Sequence, residues 1–362
     1  GLGPDPAAVV RDAVAPALAA GVVPTSAEAG RVVAAVLARV PHVPAERLAA
    51  LLEAANDPRR ERYLRLLAVV NGVVGDHLAA TGNPLALPMT LRHRGRTLDA
   101  QSTPQVPDPR GRILLLVHGL CMNDRQWRTA GDRAQLDHGQ AVADAHGYTC
   151  IHVRYNSGLA IADNGLELAR QLEQLVAQWP VPVESIAVLA HSMGGLLARS
   201  AAGHAAVAGL DWRSRLSHLV FLGTPHHGAP LERAGDWIET LLGGSRHTAP
   251  FARIGGLRSA GITDLRHGRV LDAAAAPLPL PADVACRTIA AATAAGPGVL
   301  AERLVGDGLV PLDSALGRHR DSARSLSFAA DHQFIAWQTG HLQLLSSQAV
   351  QRKLLEWLAP AA

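Results

Sequence analysis

From about residue 89 onward, short apolar runs alternate with amphipathic stretches. Ile113-Leu114-Leu115-Leu116-Val117 is apolar at every position, as a central strand buried on both faces should be. Similar runs predict strands near Met89–Leu98, Thr149–Tyr155, Ile186–Ala190, His218–Leu222, Arg287–Ala292 and Gln333–Trp337. Between them the apolar positions take a helical period, which predicts helices over Leu166–Trp179, Met193–Ala206 and Ser347–Leu358. Such alternation is the mark of an α/β fold with a mostly parallel central sheet covered on both faces.

Residues 1–88 read differently. They are alanine-rich and helix-periodic, and Pro16, Pro24, Pro41, Pro44 and Pro58 cut them into short helices. Thr25 with Glu28 makes a capping box ahead of a face formed by Val32, Val33, Val36, Leu37 and Val40. A longer helix is predicted from near Arg59, burying Tyr63, Leu66, Leu67, Val70, Val74 and Leu78. Its basic first turn, Arg59, Arg60, Arg62 and Arg65, reads as a solvated face, with contact to an anionic membrane surface as the alternative. Periodicity weakens again between Gly228 and Pro281, where Gly243-Gly244, Gly255-Gly256 and Pro277-Leu278-Pro279-Leu280-Pro281 separate pieces such as Trp237–Leu242. An insertion of that length reads as a cap over a site. The expected organisation is therefore a helical region at 1–88 and an α/β domain at 89–362 with a cap at about 228–283.

Composition narrows the classes. With 48% hydrophobic and 18% charged residues among 362, the chain has the balance of a globular protein. Its longest apolar stretches fall far short of the roughly 20 residues that cross a bilayer, and the residues from Gly1 onward show no basic region followed by an apolar core. The formal charge is +3, and all basic residues but Lys353 are arginines, scattered without interleaved aromatics. No nucleic-acid footprint follows from that pattern. Cys121, Cys150 and Cys286 have no CxxC spacing, so neither a disulfide framework nor a zinc or redox cofactor is expected, and Cys150 and Cys286 read as buried thiols on strands.

The chemistry concentrates in Ala190-His191-Ser192-Met193-Gly194-Gly195, between a predicted strand and a predicted helix. A serine in so tight a strand-to-helix turn needs small neighbours two residues either side, and Ala190 and Gly194 are small. The helix that follows aims its first amides at the serine oxygen, where negative charge develops in acyl transfer. Serine needs a base, and the base an orienting acid. Of 17 histidines, His341 lies in the turn after the last strand, at the carboxyl end where a parallel sheet presents its groups; His332 precedes that strand and His319 sits in a surface-like run. Asp307, flanked by Gly306 and Gly308, follows the strand ending near Ala292, whereas Asp313 beside Ser314 reads as a helix cap. The order Ser192, Asp307, His341 is that of serine hydrolases on α/β sheets. Gly119, in Val117-His118-Gly119-Leu120, permits a turn that points an amide into the cavity, so the N–H groups of Leu120 and Met193 are the expected oxyanion donors, with His118 bracing the loop.

Val117-His118-Gly119-Leu120, Ala190 to Gly195, Leu222-Gly223-Thr224-Pro225-His226-His227-Gly228, Asp307-Gly308-Leu309-Val310 and Gly340-His341-Leu342 together resemble bacterial α/β-hydrolase lipases and esterases and the related deacylases similar to the GPI inositol-deacylase. The likeness runs over about residues 89–358. It implies carboxylic-ester substrates, with Ser192 as nucleophile, Asp307 as acid, His341 as base, and Leu120 and Met193 as oxyanion donors. Secreted lipases of this kind often carry a calcium-binding aspartate two residues after the histidine; here that position is Gln343, a poor ligand for a hard cation, so no structural calcium is expected. His226 and His227, adjacent on an extended segment, would point to opposite sides and shape the loop rather than share an ion. The expected activity is cleavage of small-molecule or lipid esters through an acyl-enzyme, with peripheral contact at a lipid interface compatible with it. Acyl transfer to an alcohol, or a non-catalytic scaffold, are the alternatives. Trp237, Ile238, Leu241, Leu242 and Phe251, with Ile254 and Leu257, supply an apolar surface that would serve either as acyl-binding wall or as cap core.

Overall fold

The computed structural model describes residues 58–83, 85–99, 102–128, 136–229, 259–271, 278–296 and 306–360. The short helices and capping box expected before residue 58, and Trp237, Ile238, Leu241, Leu242, Phe251, Ile254 and Leu257 of the expected cap, lie outside the described residues. Eight described strands form one sheet: β1 (Thr90–His93), β2 (Arg96–Thr97), β3 (Arg112–Val117), β4 (Tyr148–Arg154), β5 (Ser185–His191), β6 (Leu216–Leu222), β7 (Ala285–Ala292) and β8 (Gln333–Trp337). Their order is β2-β1-β4-β3-β5-β6-β7-β8, antiparallel at β2/β1/β4 and parallel from β4 to β8.

The central strands show why an unbroken apolar run is required. Ile113, Leu115 and Val117 face one core cluster, shared with the helices α3 (Ile161–Gln178) and α4 (Met193–Ala208). Leu114 and Leu116 face the other, shared with α2 (His138–His146) and the C-terminal helix Gln348–Trp357. This is the α/β-hydrolase architecture expected, a mostly parallel sheet between two helical layers.

Two elements differ from their sequence pattern. The single strand read over Met89–Leu98 is a hairpin, because Arg94 (φ 48°) and Gly95 (φ 81°) both take positive φ and reverse the chain in two residues. The arginine side chain at position 92 holds the turn by donating to the Gly95 carbonyl and the Thr97 hydroxyl. Helix α3 begins at Ile161, five residues before the predicted Leu166. Its first amide donates to Asp264 Oδ2 at 2.9 Å, a cap from a residue 103 positions away. Gly165 inside it permits close packing on α4, since a Cβ there would lie 2.0 Å from Ser200 Oγ.

The helix α1 (Pro58–Ala80) contributes Val69, Val73, Val74 and Leu78 to the same core cluster as β3 and β5. Leu67, Val74 and Leu78 are buried as the sequence predicts and Val70 partly so, while the side chains of Tyr63 and Leu66 lie outside the described set. Arg65 is exposed. No helix among the described residues is long and apolar enough to cross a membrane.

Candidate active site

Ser192 sits where β5 becomes α4, with φ 56° and ψ −127°. A non-glycine residue at positive φ costs of order 1–3 kcal/mol and persists only where its surroundings enforce it. Here the Ser192 N–H donates to Leu222 O at the end of β6 (2.8 Å), and the Ser192 carbonyl accepts from Gly195 N (3.0 Å). The small neighbours are sterically required: a Cβ on Gly194 would lie 2.5 Å from His118 O, and one on Gly195 would lie 2.0 Å from Thr224 Oγ1. Ser192 is 1% exposed, and its Oγ has no hydrogen-bond partner among the described residues.

The loops after β7 and β8 meet at His341, whose carbonyl oxygen is bonded by His191, the residue before Ser192. His341 Nδ1 donates to Asp307 Oδ2 at 2.6 Å, with both side chains 1% exposed. Asp307 Oδ1 accepts from Leu309 N (2.9 Å) and Val310 N (2.8 Å), while His341 N donates to the Asp307 carbonyl (3.2 Å). The carboxylate is therefore fixed from behind, and with Nδ1 committed to it Nε2 is the ring atom left to exchange a proton. Gly223, at φ 58°, allows the His341 ring to lie against the end of β6; a Cβ there would lie 3.2 Å from its Nδ1 and Cε1. On the other side His191 Nε2 donates to His341 O (3.2 Å), and the two rings stand 4.7 Å apart.

The loop after β3 closes the remaining side, where a Cβ on Gly119 would approach Ser192 Cβ to 2.9 Å. His118 braces this loop. Its Nδ1 donates to Gly119 O (2.9 Å), its ring stacks on Tyr155 at 4.3 Å, and Tyr155 Oη donates to His118 O (2.9 Å). Among the described residues, neither the Leu120 nor the Met193 N–H donates to a backbone carbonyl of a turn or loop.

Asp313, read as a cap, lies instead in the first turn of the short helix Leu312–Ala315, whose cap position is Pro311, and its side chain is exposed. His226 and His227 occupy a turn rather than an extended segment. They nonetheless diverge: His226 is buried edge-on to Phe221, while His227 Nε2 donates to Gly317 O (2.9 Å). Gln343 Oε1 accepts from Gly340 N at 2.7 Å, tying down the turn that carries His341. Cys286 is buried on β7 and Cys150 partly buried on β4.

One buried charge group escapes the sequence reading. Asp124, just beyond the Leu120 loop, bridges Arg154 Nε (2.5 Å) and Arg92 Nε (3.4 Å). Burial alone would push its carboxyl up, but the Arg154 and Arg92 guanidinium groups outweigh that and hold it below the usual range. No local pattern links positions 92, 124 and 154; the β1/β4 pairing brings Arg92 and Arg154 together, and the short helix Asp124–Trp127 packs against β4 to bring Asp124 to them.

Burial keeps several imidazoles neutral. The His118 ring is lowered to about 4, and those of His191 and His226 fall well below their ordinary value, in each case chiefly by burial. In the unfolded chain these rings take up protons below about pH 6.5, whereas in the folded chain they do not, so stability falls as pH drops through that window. For His118 alone the loss between pH 6.5 and 4 is about 3 kcal/mol, at roughly 1.4 kcal/mol per unit. Urea unfolding midpoints at pH 7.5 and 5 should therefore differ clearly, with the lower midpoint at pH 5; an equal or higher one at pH 5 contradicts the assignment of neutral rings.

Residues 108–241 match the family model of the PGAP1-like alpha/beta domain. The matched PGAP1-like segment runs from the approach to β3 past β6, and so includes the Leu120 loop and the Ser192 turn but neither Asp307 nor His341. No curated protein matches the chain. Among solved structures, the mature lipase BlEst2 of Bacillus licheniformis is 19% identical, covering 71% of this chain and 95% of that one, at a TM-score of 0.46. The RedJ thioesterase of Streptomyces coelicolor is 16% identical (71% and 95% covered, TM-score 0.39), and an esterase of Pyrobaculum calidifontis 12% identical (82% and 91% covered, TM-score 0.43). These are likenesses of fold at low identity, and the architecture is read from the chain's own strand order.

Proposed function

We propose that the chain is a serine hydrolase that cleaves carboxylic esters through an acyl-enzyme. The observation that carries this reading is the 2.6 Å bond between Asp307 and His341, delivered to the same end of the sheet as a serine at positive φ. In the reaction His341 Nε2 takes the Ser192 proton as the hydroxyl oxygen attacks the ester carbonyl. The resulting oxyanion is held by the N–H groups of Leu120 and Met193, each worth about 3 kcal/mol of transition-state stabilisation. The imidazolium, stabilised by Asp307, protonates the departing alkoxide, and the acyl group stays on Ser192. Water deprotonated by the same ring then releases the acid and restores the serine. The lipase, thioesterase and esterase names of the similar folds agree in class with this chemistry. The substrate is a small-molecule or lipid ester, and the apolar residues from Trp237 to Phe251 are assigned to its acyl part.

A fluorophosphonate probe tests the reading directly. Attack by the serine oxygen expels fluoride and leaves a stable phosphonyl ester, so the tryptic peptide containing Ser192 should gain the probe mass, while heat-unfolded protein should not react. An unlabelled native chain refutes the proposal.

A further inference from the structure

We infer that helix α1 is a positioning element of the acyl-transfer site, and that Gly72 on it sets the place of the loop carrying the Leu120 amide. The inference rests on the serine-hydrolase reading above, and the helix lies outside the residues matched to the PGAP1-like domain.

Cys121, next to Leu120, holds φ 57°, a conformation that needs external support in a non-glycine residue. Two contacts supply it. The Cys121 N–H donates to Ser157 Oγ (3.0 Å), and the residue packs flush against α1 at Gly72, where a Cβ would lie 2.3 Å from Cys121 Sγ and 3.1 Å from both its Cα and its N. The helix itself is fixed at that point. Ser259 Oγ donates to Gly72 O (2.7 Å), Asp76 Oδ2 accepts from Ala260 N (2.9 Å), and Asn156 Nδ2 donates to Gly75 O (2.9 Å). Between Gly72 and Gly75 the helix kinks at Val74 (φ −136°, ψ 18°), and a Cβ on Gly158 would meet Asn71 O at 2.2 Å. One turn of α1 thus touches the oxyanion loop, the loop after β4 and the helix Ala260–His267 at once. Glycine inside a helix lowers its stability relative to alanine, so Gly72 serves the approach to Cys121 rather than the helix.

Gly72→Ala tests this, because alanine favours the helix and any loss must come through Cys121. With p-nitrophenyl butyrate, kcat should fall about thirty-fold, short of the 10²–10³-fold for a donor removed outright. KM should change less than about threefold, and the inhibition constant of an alkylboronic acid, whose tetrahedral adduct uses the same amides, should rise in step with kcat. Cys121→Gly removes the closest obstructing atom, Sγ, at a position whose φ suits glycine, leaving only the two backbone contacts at 3.1 Å. Gly72→Ala/Cys121→Gly should therefore recover to within about threefold of Cys121→Gly alone. Should Gly72→Ala fail to fold, Ser259→Ala provides the milder release, with kcat lowered about threefold at constant KM. A Gly72→Ala enzyme equal to wild type, a loss that follows only the unfolded fraction, or a double variant as impaired as the product of the singles overturns the inference. A wild-type chain inert to both ester and fluorophosphonate overturns the serine-hydrolase reading itself, and is seen before any variant is made.

Discussion

Ser192→Ala should lower kcat for a p-nitrophenyl ester on the order of 10⁵- to 10⁶-fold, since loss of the nucleophile removes nearly everything the other two groups contribute. The residual rate would be that of substrate binding and the two amides acting on water. The same change should leave the fold intact. Ser192 Oγ has no hydrogen-bond partner among the described residues, so deleting it breaks no bond to any of them. The variant should therefore unfold no earlier than wild type. Steady-state hydrolysis with a parallel thermal melt separates the two effects: full activity sinks the assignment of the nucleophile, and a collapsed melt shows a structural role instead.

Asp307→Asn should be nearly as damaging, about 10⁴-fold in kcat, through tautomer rather than geometry. The amide oxygen of asparagine can keep the bonds that Asp307 Oδ1 accepts from Leu309 N and Val310 N, which turns its NH₂ group toward His341 Nδ1. Facing a donor, Nδ1 must become an acceptor, and the ring proton moves to Nε2, where it can no longer take the proton of Ser192. Loss of kcat with an unchanged far-ultraviolet spectrum and melt is the expected result. Activity within tenfold of wild type would place the orienting acid elsewhere.

The placement of these groups was legible to different depths. Ser192 could be read from its neighbours alone, because a sharp strand-to-helix turn excludes bulk at 190 and 194, and that steric demand is written within five residues. His341 and Asp307 could be placed only by strand order, from the rule that parallel sheets offer their carboxyl ends. That Asp307 touches His341, with His191 and Gln343 steadying the turn, depends on loops of β5, β7 and β8 meeting in space. The hairpin at Arg94-Gly95 was missed because its turn lacks the usual Asn-Gly pair, and the early start of α3 because its capping carboxylate, Asp264, is remote.

By itself, the sequence determined the alternation of strand and helix, the two-sided burial of β3 and the identity of the strained serine, since hydrophobic period and turn sterics act over a few residues. Only the tertiary structure decided what stands behind each group: the Asp124 bridge between Arg92 and Arg154, the neutral ring of His118 under Tyr155, and the glycine face of α1 against Cys121. Such contacts join positions tens to hundreds of residues apart. Their energies arise from desolvation and close packing, which exist only once the chain has folded.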